Sequence, residues 1–219
     1  MLLLKERKNI IATGKKMLSA GLTTGTGGNL SCFNRKKGLM AITPSGIEYP
    51  DMTPDQVLVM SLEGKIVQGR LKPSSETGFH LGLYHKRSDV NAVVHTHSVY
   101  ATTYACLNRE IPAVHYLVGF AGRKVPLAPY ATYGSKELSD NITRTIENYN
   151  AVLLANHGLV AVGTSLLKAF NTAEEIELVA RVSYQAEGIG TPVILSNREM
   201  DRVIKRFAHY GPEDNGSVP

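Results

Sequence analysis

The sequence has no tryptophan and only two cysteines, Cys32 and Cys106, in 219 residues. Two thiols are too few for a disulfide framework, so a cystine-stapled secreted module is excluded and a reducing, cytoplasmic setting is expected. No apolar run approaches the roughly 20 residues needed to span a bilayer. The opening Met1-Leu2-Leu3-Leu4-Lys5-Glu6-Arg7 carries its charges behind a short apolar patch and lacks a signal-peptide core. Neither a Walker lysine nor a G-x-G-x-x-G turn is present, which removes both nucleotide fingerprints.

What is present is ordinary in bulk. Hydrophobic residues at 43% and charged residues at 20% suit a globular protein. The length favours a single domain over residues 1–219, with the tail after about residue 207 expected to be mobile. A net charge of +5 is scattered among acids, apart from Arg35-Lys36-Lys37, which reads as a solvated hairpin tip. A small anionic substrate accounts for the excess, and neither nucleic acid nor a membrane is expected as partner.

Residues 4–20 read as an amphipathic helix, with Leu4, Ile10, Ile11, Met17 and Leu18 on one side and Gly21 as its stop. A hairpin is expected from Leu30–Phe33 and Leu39–Thr43, and another from Val57–Met60 and Lys65–Val67. Further helices are expected over roughly 77–87, 98–107, from Ser135 with Leu138, Ile142 and Ile146 inward, and from about 165 to 187. Residues 111–130 mix short strands and loops. Ser196-Asn197-Arg198-Glu199 reads as a capping box opening a last helix. Early hairpins followed by alternating strands and helices imply an α/β fold, a mixed sheet covered on both faces.

The informative stretch is Asn91-Ala92-Val93-Val94-His95-Thr96-His97. Its β-branched run favours a strand, and on a strand His95 and His97 share a face with Cα atoms roughly 6.6 Å apart. Two imidazoles leaning inward from there can reach one metal ion at about 2.0–2.1 Å; on a helix they would diverge by roughly 200°. A catalytic metal normally has three protein ligands and an open position. His157, beside Gly158 at the end of Ala151–Ala155, is the third candidate, or a turn histidine bonded to the chain. Glu76 is a fourth, or a carboxylate favoured by a helix N-terminus. Three hydroxyl- and glycine-rich turns, Thr26 to Asn29, Ser45-Gly46 and Ser74-Ser75, offer donors suited to an anion.

The order Gly25-Thr26-x-Gly28-Asn29, Thr43-Pro44-Ser45-Gly46, Pro73-Ser74-Ser75-Glu76, His95-x-His97, His115-Tyr116, Ala128-Pro129-Tyr130, His157-Gly158-Leu159 resembles the class II aldolase/adducin family. Its L-fuculose-1-phosphate aldolase branch is the nearest in pattern. The resemblance covers nearly the whole chain, and the joint order of the motifs is far more specific than any one of them. It implies a three-layer α/β/α sandwich around a central, mostly antiparallel sheet, assembled as a homotetramer with sites between subunits. It implies one Zn2+ per subunit on His95, His97 and His157, with Glu76 both a displaceable fourth ligand and a catalytic acid–base. The substrate phosphate is expected on Thr26, Asn29, Ser45, Gly46, Ser74 and Ser75. Tyr116 is expected to donate a proton from the adjacent subunit, and Tyr210 to close over the substrate from the tail.

The implied reaction is reversible cleavage of L-fuculose 1-phosphate to dihydroxyacetone phosphate and L-lactaldehyde. Alternatives within the family are an aldolase for another 5-deoxy or methylthio pentulose 1-phosphate, an L-ribulose-5-phosphate 4-epimerase and a methylthioribulose-1-phosphate dehydratase. His157-Gly158-Leu159-Val160 stands where the epimerases are expected to carry His-Gly-Pro-Phe, which argues against that one. A non-catalytic, adducin-like interaction domain would not need histidines, serines and acid together.

Overall fold

In the computed structural model, residues 1–207 are described. The chain runs α1 (Leu4–Ser19), β1 (Asn29–Asn34), β2 (Leu39–Ile42), β3 (Leu58–Ser61), β4 (Ile66–Gln68), α2 (Thr77–Lys86), β5 (Ala92–Thr96) and α3 (Val99–Cys106). It continues with β6 (Leu127–Ala128), α4 (Lys136–Ile146), β7 (Ala151–Leu154), β8 (Gly158–Gly163), α5 (Leu166–Ile189) and α6 (Asn197–Phe207). The strands form one eight-stranded sheet in the order β4-β3-β2-β1-β5-β8-β7-β6. Every pairing is antiparallel except β6 with β7.

Strand alternation sorts the core into two. Ala92 and Val94 of β5 face α1, α3 and α5, while Val93 faces α2 and α4. Helices on both faces make this the three-layer α/β/α sandwich that the motifs imply. No helix among the described residues is long and apolar enough to cross a membrane. Both sheet edges are short strands, which limits unwanted edge pairing.

Three local expectations need correction. The inward stripe of α1 runs Leu3, Arg7, Ile10, Gly14, Met17, and Leu4 is exposed. The register changes because the Arg7 guanidinium is satisfied inside, by Leu2 O at 2.9 Å, Pro54 O at 2.7 Å and Gln68 Oε1 at 2.7 Å. The capping box at α6 is half made: Ser196 Oγ accepts from Glu199 N at 3.2 Å, while the Glu199 carboxylate pairs with Arg202 instead. Arg35 is no idle hairpin tip, since it donates to Asn91 Oδ1, Arg87 O and Val90 O, tying the β1–β2 turn to the start of β5.

Candidate metal centre

Sheet register brings the histidines together. β5 lies between β1 and β8, with His95 opposite Asn29 on one side and Val160 on the other. β7 and β8 form a hairpin whose turn, Ala155 to His157, comes back level with the end of β5. Asn156 sits at φ 55°, a left-handed conformation that asparagine tolerates better than most side chains, and it turns His157 toward β5. Two glycines let the backbones close. A Cβ at Gly158 would lie 2.3 Å from Thr96 O, and one at Gly28, which also has φ 70°, would lie 2.5 Å from His95 O. The residues after His97 are anchored by α5, whose Glu177 accepts from Tyr100 N and Ala101 N at 2.8 Å each. That carboxylate caps the free amides of α3, where Ser98 makes no side-chain cap.

The candidate ligand atoms of His95, His97 and His157 all lie within 4.8 Å of one another. His95 is fully buried, and its Nδ1 donates to Leu159 O at 3.0 Å, which leaves Nε2 facing the cluster. Facing that nitrogen are His97 Nε2 at 3.0 Å and Glu76 Oε2 at 3.2 Å. Acceptors crowded this closely need a proton or a cation between them. Tetrahedral zinc with bonds of about 2.0–2.1 Å spaces its donors by roughly 3.3 Å, so the residues present fit such an ion. Burial, then the charge of His95, pushes His97 and His157 down to about 4, against the opposing pull of Glu76. Both imidazoles are therefore neutral near pH 7, the form that ligates.

Glu76 occupies the position just before α2 but makes no capping bond with its side chain. Its carboxylate turns inward instead, with Oε1 3.5 Å from His157 Nε2, buried and without a hydrogen-bond partner. Burial works to raise its pKa. The charge and hydrogen bond of His95, the charge of His157 and the Asn29 amide outweigh it and hold the carboxyl well below its usual range. The helix-dipole explanation of this residue is thus inadequate, because the carboxylate is aimed at imidazoles.

The hydroxyl-rich turns gather around this cluster. The Thr23–Asn29 turn abuts His97, where a Cβ at Gly27 would lie 3.2 Å from Nδ1. The turns at 43–46 and 72–75 are cross-linked, with Ser45 N donating to Lys72 O at 2.9 Å and Ser74 N to Thr43 O at 3.1 Å. Gly46 has φ 72°, which suits a tight turn. His97 also lines an open cavity of about 410 Å³, together with Val99, Thr102, Thr103, Cys106 and Leu107.

A model of the class II aldolase and adducin N-terminal domain matches residues 8–184. The chain belongs to this family. A 5-deoxy-D-ribulose 1-phosphate aldolase of Bacillus thuringiensis serovar kurstaki is 52% identical over 97% of this chain and 100% of its own length. An L-fuculose phosphate aldolase of Escherichia coli is 42% identical over 94% of this chain and 96% of its own. A solved L-fuculose 1-phosphate aldolase superposes with a TM-score of 0.92 at 45% identity, covering 93% of this chain and 96% of that one. The protein is therefore a class II aldolase acting on sugar phosphates, an enzyme class that depends on a metal ion.

Not every candidate joins the cluster. Tyr116 lies in a short 3-10 segment, half exposed, with its ring against His115 and Phe207. A ring this exposed is not part of the core. Tyr210 lies outside the described residues. Sequence reasoning missed His80, which is fully buried and bonded to Asn29. The available signal was its position four residues after Glu76, on the same helical face.

Proposed function

We propose that the enzyme cleaves a deoxy-ketose 1-phosphate between C3 and C4, reversibly, into dihydroxyacetone phosphate and a short aldehyde. The observation that carries this reading is Glu76, a buried carboxylate with one oxygen unpartnered beside three convergent imidazoles. His95, His97 and His157 would hold one Zn2+, with Glu76 a fourth ligand that substrate displaces. The bound cation supplies Lewis acidity where negative charge grows on the ketone side of the substrate. Glu76 then moves the proton at C3 of the dihydroxyacetone phosphate half, and Tyr116 of a neighbouring subunit handles the proton on the aldehyde oxygen. No Schiff-base lysine is required.

The phosphate would lie on Thr26, Asn29, Ser45, Gly46, Ser74 and Ser75. Support comes from the three turns meeting beside the cluster and from the mutual bracing of two of them. Asn29 Nδ2 donates one hydrogen to Glu76 at 2.9 Å and carries a second that can serve the phosphate. A homotetramer accounts for the exposed Leu178, Val182 and Ile189 on α5, an apolar stripe that a neighbour would cover. Tyr210 would reach the substrate from the tail.

For substrate, 5-deoxyribulose 1-phosphate, releasing acetaldehyde, is the first reading, favoured by the 52% identity. L-Fuculose 1-phosphate, releasing L-lactaldehyde, is the second, favoured by the TM-score of 0.92. The test is dihydroxyacetone phosphate release from both ketoses and from methylthioribulose 1-phosphate, before chelation, after it, and after zinc is restored. Cleavage lost with the metal and regained with zinc is expected, with borohydride plus substrate causing no inactivation. Activity persisting in protein free of all metal, or epimerisation or dehydration without cleavage, overturns the reading.

A further inference from the structure

On the face of β1 toward α2, strand alternation places Asn29 and Ser31 in one row. On the face of α2 toward β1, four-residue spacing stacks His80 and Tyr84 below Glu76. The two rows interlock as a single hydrogen-bonded column: Glu76 Oε2 to Asn29 Nδ2 at 2.9 Å, Asn29 Oδ1 to His80 Nε2 at 2.6 Å, His80 Nδ1 to Ser31 Oγ at 2.6 Å, and Ser31 Oγ to Tyr84 Oη at 2.5 Å. All of these side chains are buried.

The column has one consistent polarity, read outward from the carboxylate. An ionised Glu76 only accepts, so Asn29 must face it with its NH2; the flipped amide would set Oδ1 against a carboxylate oxygen. Asn29 Oδ1 then faces His80 Nε2, which must donate. With its proton on Nε2, the neutral ring accepts at Nδ1 from the Ser31 hydroxyl. Ser31 has spent its only hydrogen, so it accepts from Tyr84. Every donor points toward Glu76.

We propose that His80, Ser31 and Tyr84 are positioning residues that lock the Asn29 amide and, through its bond to Oε2, fix the Glu76 carboxylate beside the three imidazoles. The role given to Glu76 rests on the function proposed above. Burial, with the charge of His95 next, pushes His80 down to about 3, and burial pushes Tyr84 well above its usual value. The ring stays neutral and the phenol stays a donor, as the polarity requires. A column this buried is costly when half satisfied, so its members act as a unit.

The first test is nitrogen-15 spectroscopy of the metal-free wild-type protein with labelled histidine. A protonated Nε2 and an unprotonated Nδ1 on His80 are expected, and the opposite tautomer, or a doubly protonated ring at neutral pH, overturns the proposal. The second is kinetic. Folded His80→Leu should lose about 10–100-fold in kcat, with a smaller change in KM, and should bind zinc about 10–100-fold more weakly. His80→Gln, which can keep a donor toward Asn29, should recover most of both losses. Tyr84→Phe, at the far end, should cost less than His80→Leu. Wild-type kcat and zinc affinity in folded His80→Leu overturn the proposal. Should His80→Leu not fold, wild-type kcat and zinc affinity in folded Tyr84→Phe overturn it instead. Should wild type cleave no ketose phosphate, the proposed function fails, and the tautomer and the zinc affinities still decide the column.

Discussion

Below Glu76 the protein is sealed, and beyond His97 it is open. The sealed side is a column of hydrogen-bonded polar groups wedged between β1 and α2, where each donor has an assigned acceptor. The open side exposes one edge of His97 beside a cavity walled by Val99 and Leu107. Side chains on the sealed side have one arrangement, because any reversal leaves a buried group unpaired at a cost of about 1–3 kcal/mol. Those on the open side are free to meet a ligand. A site that must hold a cation firmly and still exchange substrate needs both kinds of wall.

The largest expected effect comes from removing the imidazole that stands between them. His95→Ala takes away a proposed ligand and a fully buried ring, and kcat/KM should fall by about 10³-fold or more, equal to about 4 kcal/mol of lost transition-state stabilisation. Zinc stoichiometry measured on the same purified variant should fall with it. Stoichiometric zinc and full activity would remove His95 from the site.

Next is Gly158→Ala, which tests the backbone approach that sets His157 beside His95. The added Cβ would lie 2.3 Å from a backbone carbonyl that has no side-chain freedom to retreat. The expected cost is about 1–3 kcal/mol of stability with a matching loss of zinc affinity. A thermal midpoint unchanged from wild type would show that the β8 backbone relaxes away from β5 without penalty.

A further effect concerns protons. His97 and His157 are pushed down to about 4 and His80 to about 3, burial being the first cause in each. An unfolded histidine takes up its proton near pH 6.5, so between those values the unfolded chain binds more protons than the folded one. Metal-free stability should therefore be intact above about pH 6.5 and decline as pH falls toward 4. Calorimetric midpoints of the metal-free protein across that interval check this, and a flat profile contradicts it. Replacing His80 by Leu should shallow the decline, since one contributor has gone.

Much of this was legible residue by residue. His95 and His97 share a face because a strand has period two, and Leu138, Ile142 and Ile146 are buried because a helix brings every fourth residue round. Ser135 accepts from Leu138 N at 3.1 Å, as its position at a helix start suggests. Where local pattern misled, tertiary partners had intervened. Arg7 is buried because the 53–68 region supplies acceptors from outside α1, and Glu199 leaves its box for Arg202. Nothing within α2 announces the bonds of His80, because its partners Asn29 and Ser31 come from β1.

By itself, the sequence determined the periodicities, the turn chemistry and the ordered motifs, and these were enough for the family, the layered fold and the imidazole set. Those features depend on neighbours a few residues apart or on a pattern along the chain. Only the tertiary structure decided how the Glu76 carboxylate is held, by the Asn29 amide on Oε2. That arrangement depends on β1 and α2 meeting in one register across some 50 positions of chain, and hydrogen-bond polarity has no expression until both partners are in place.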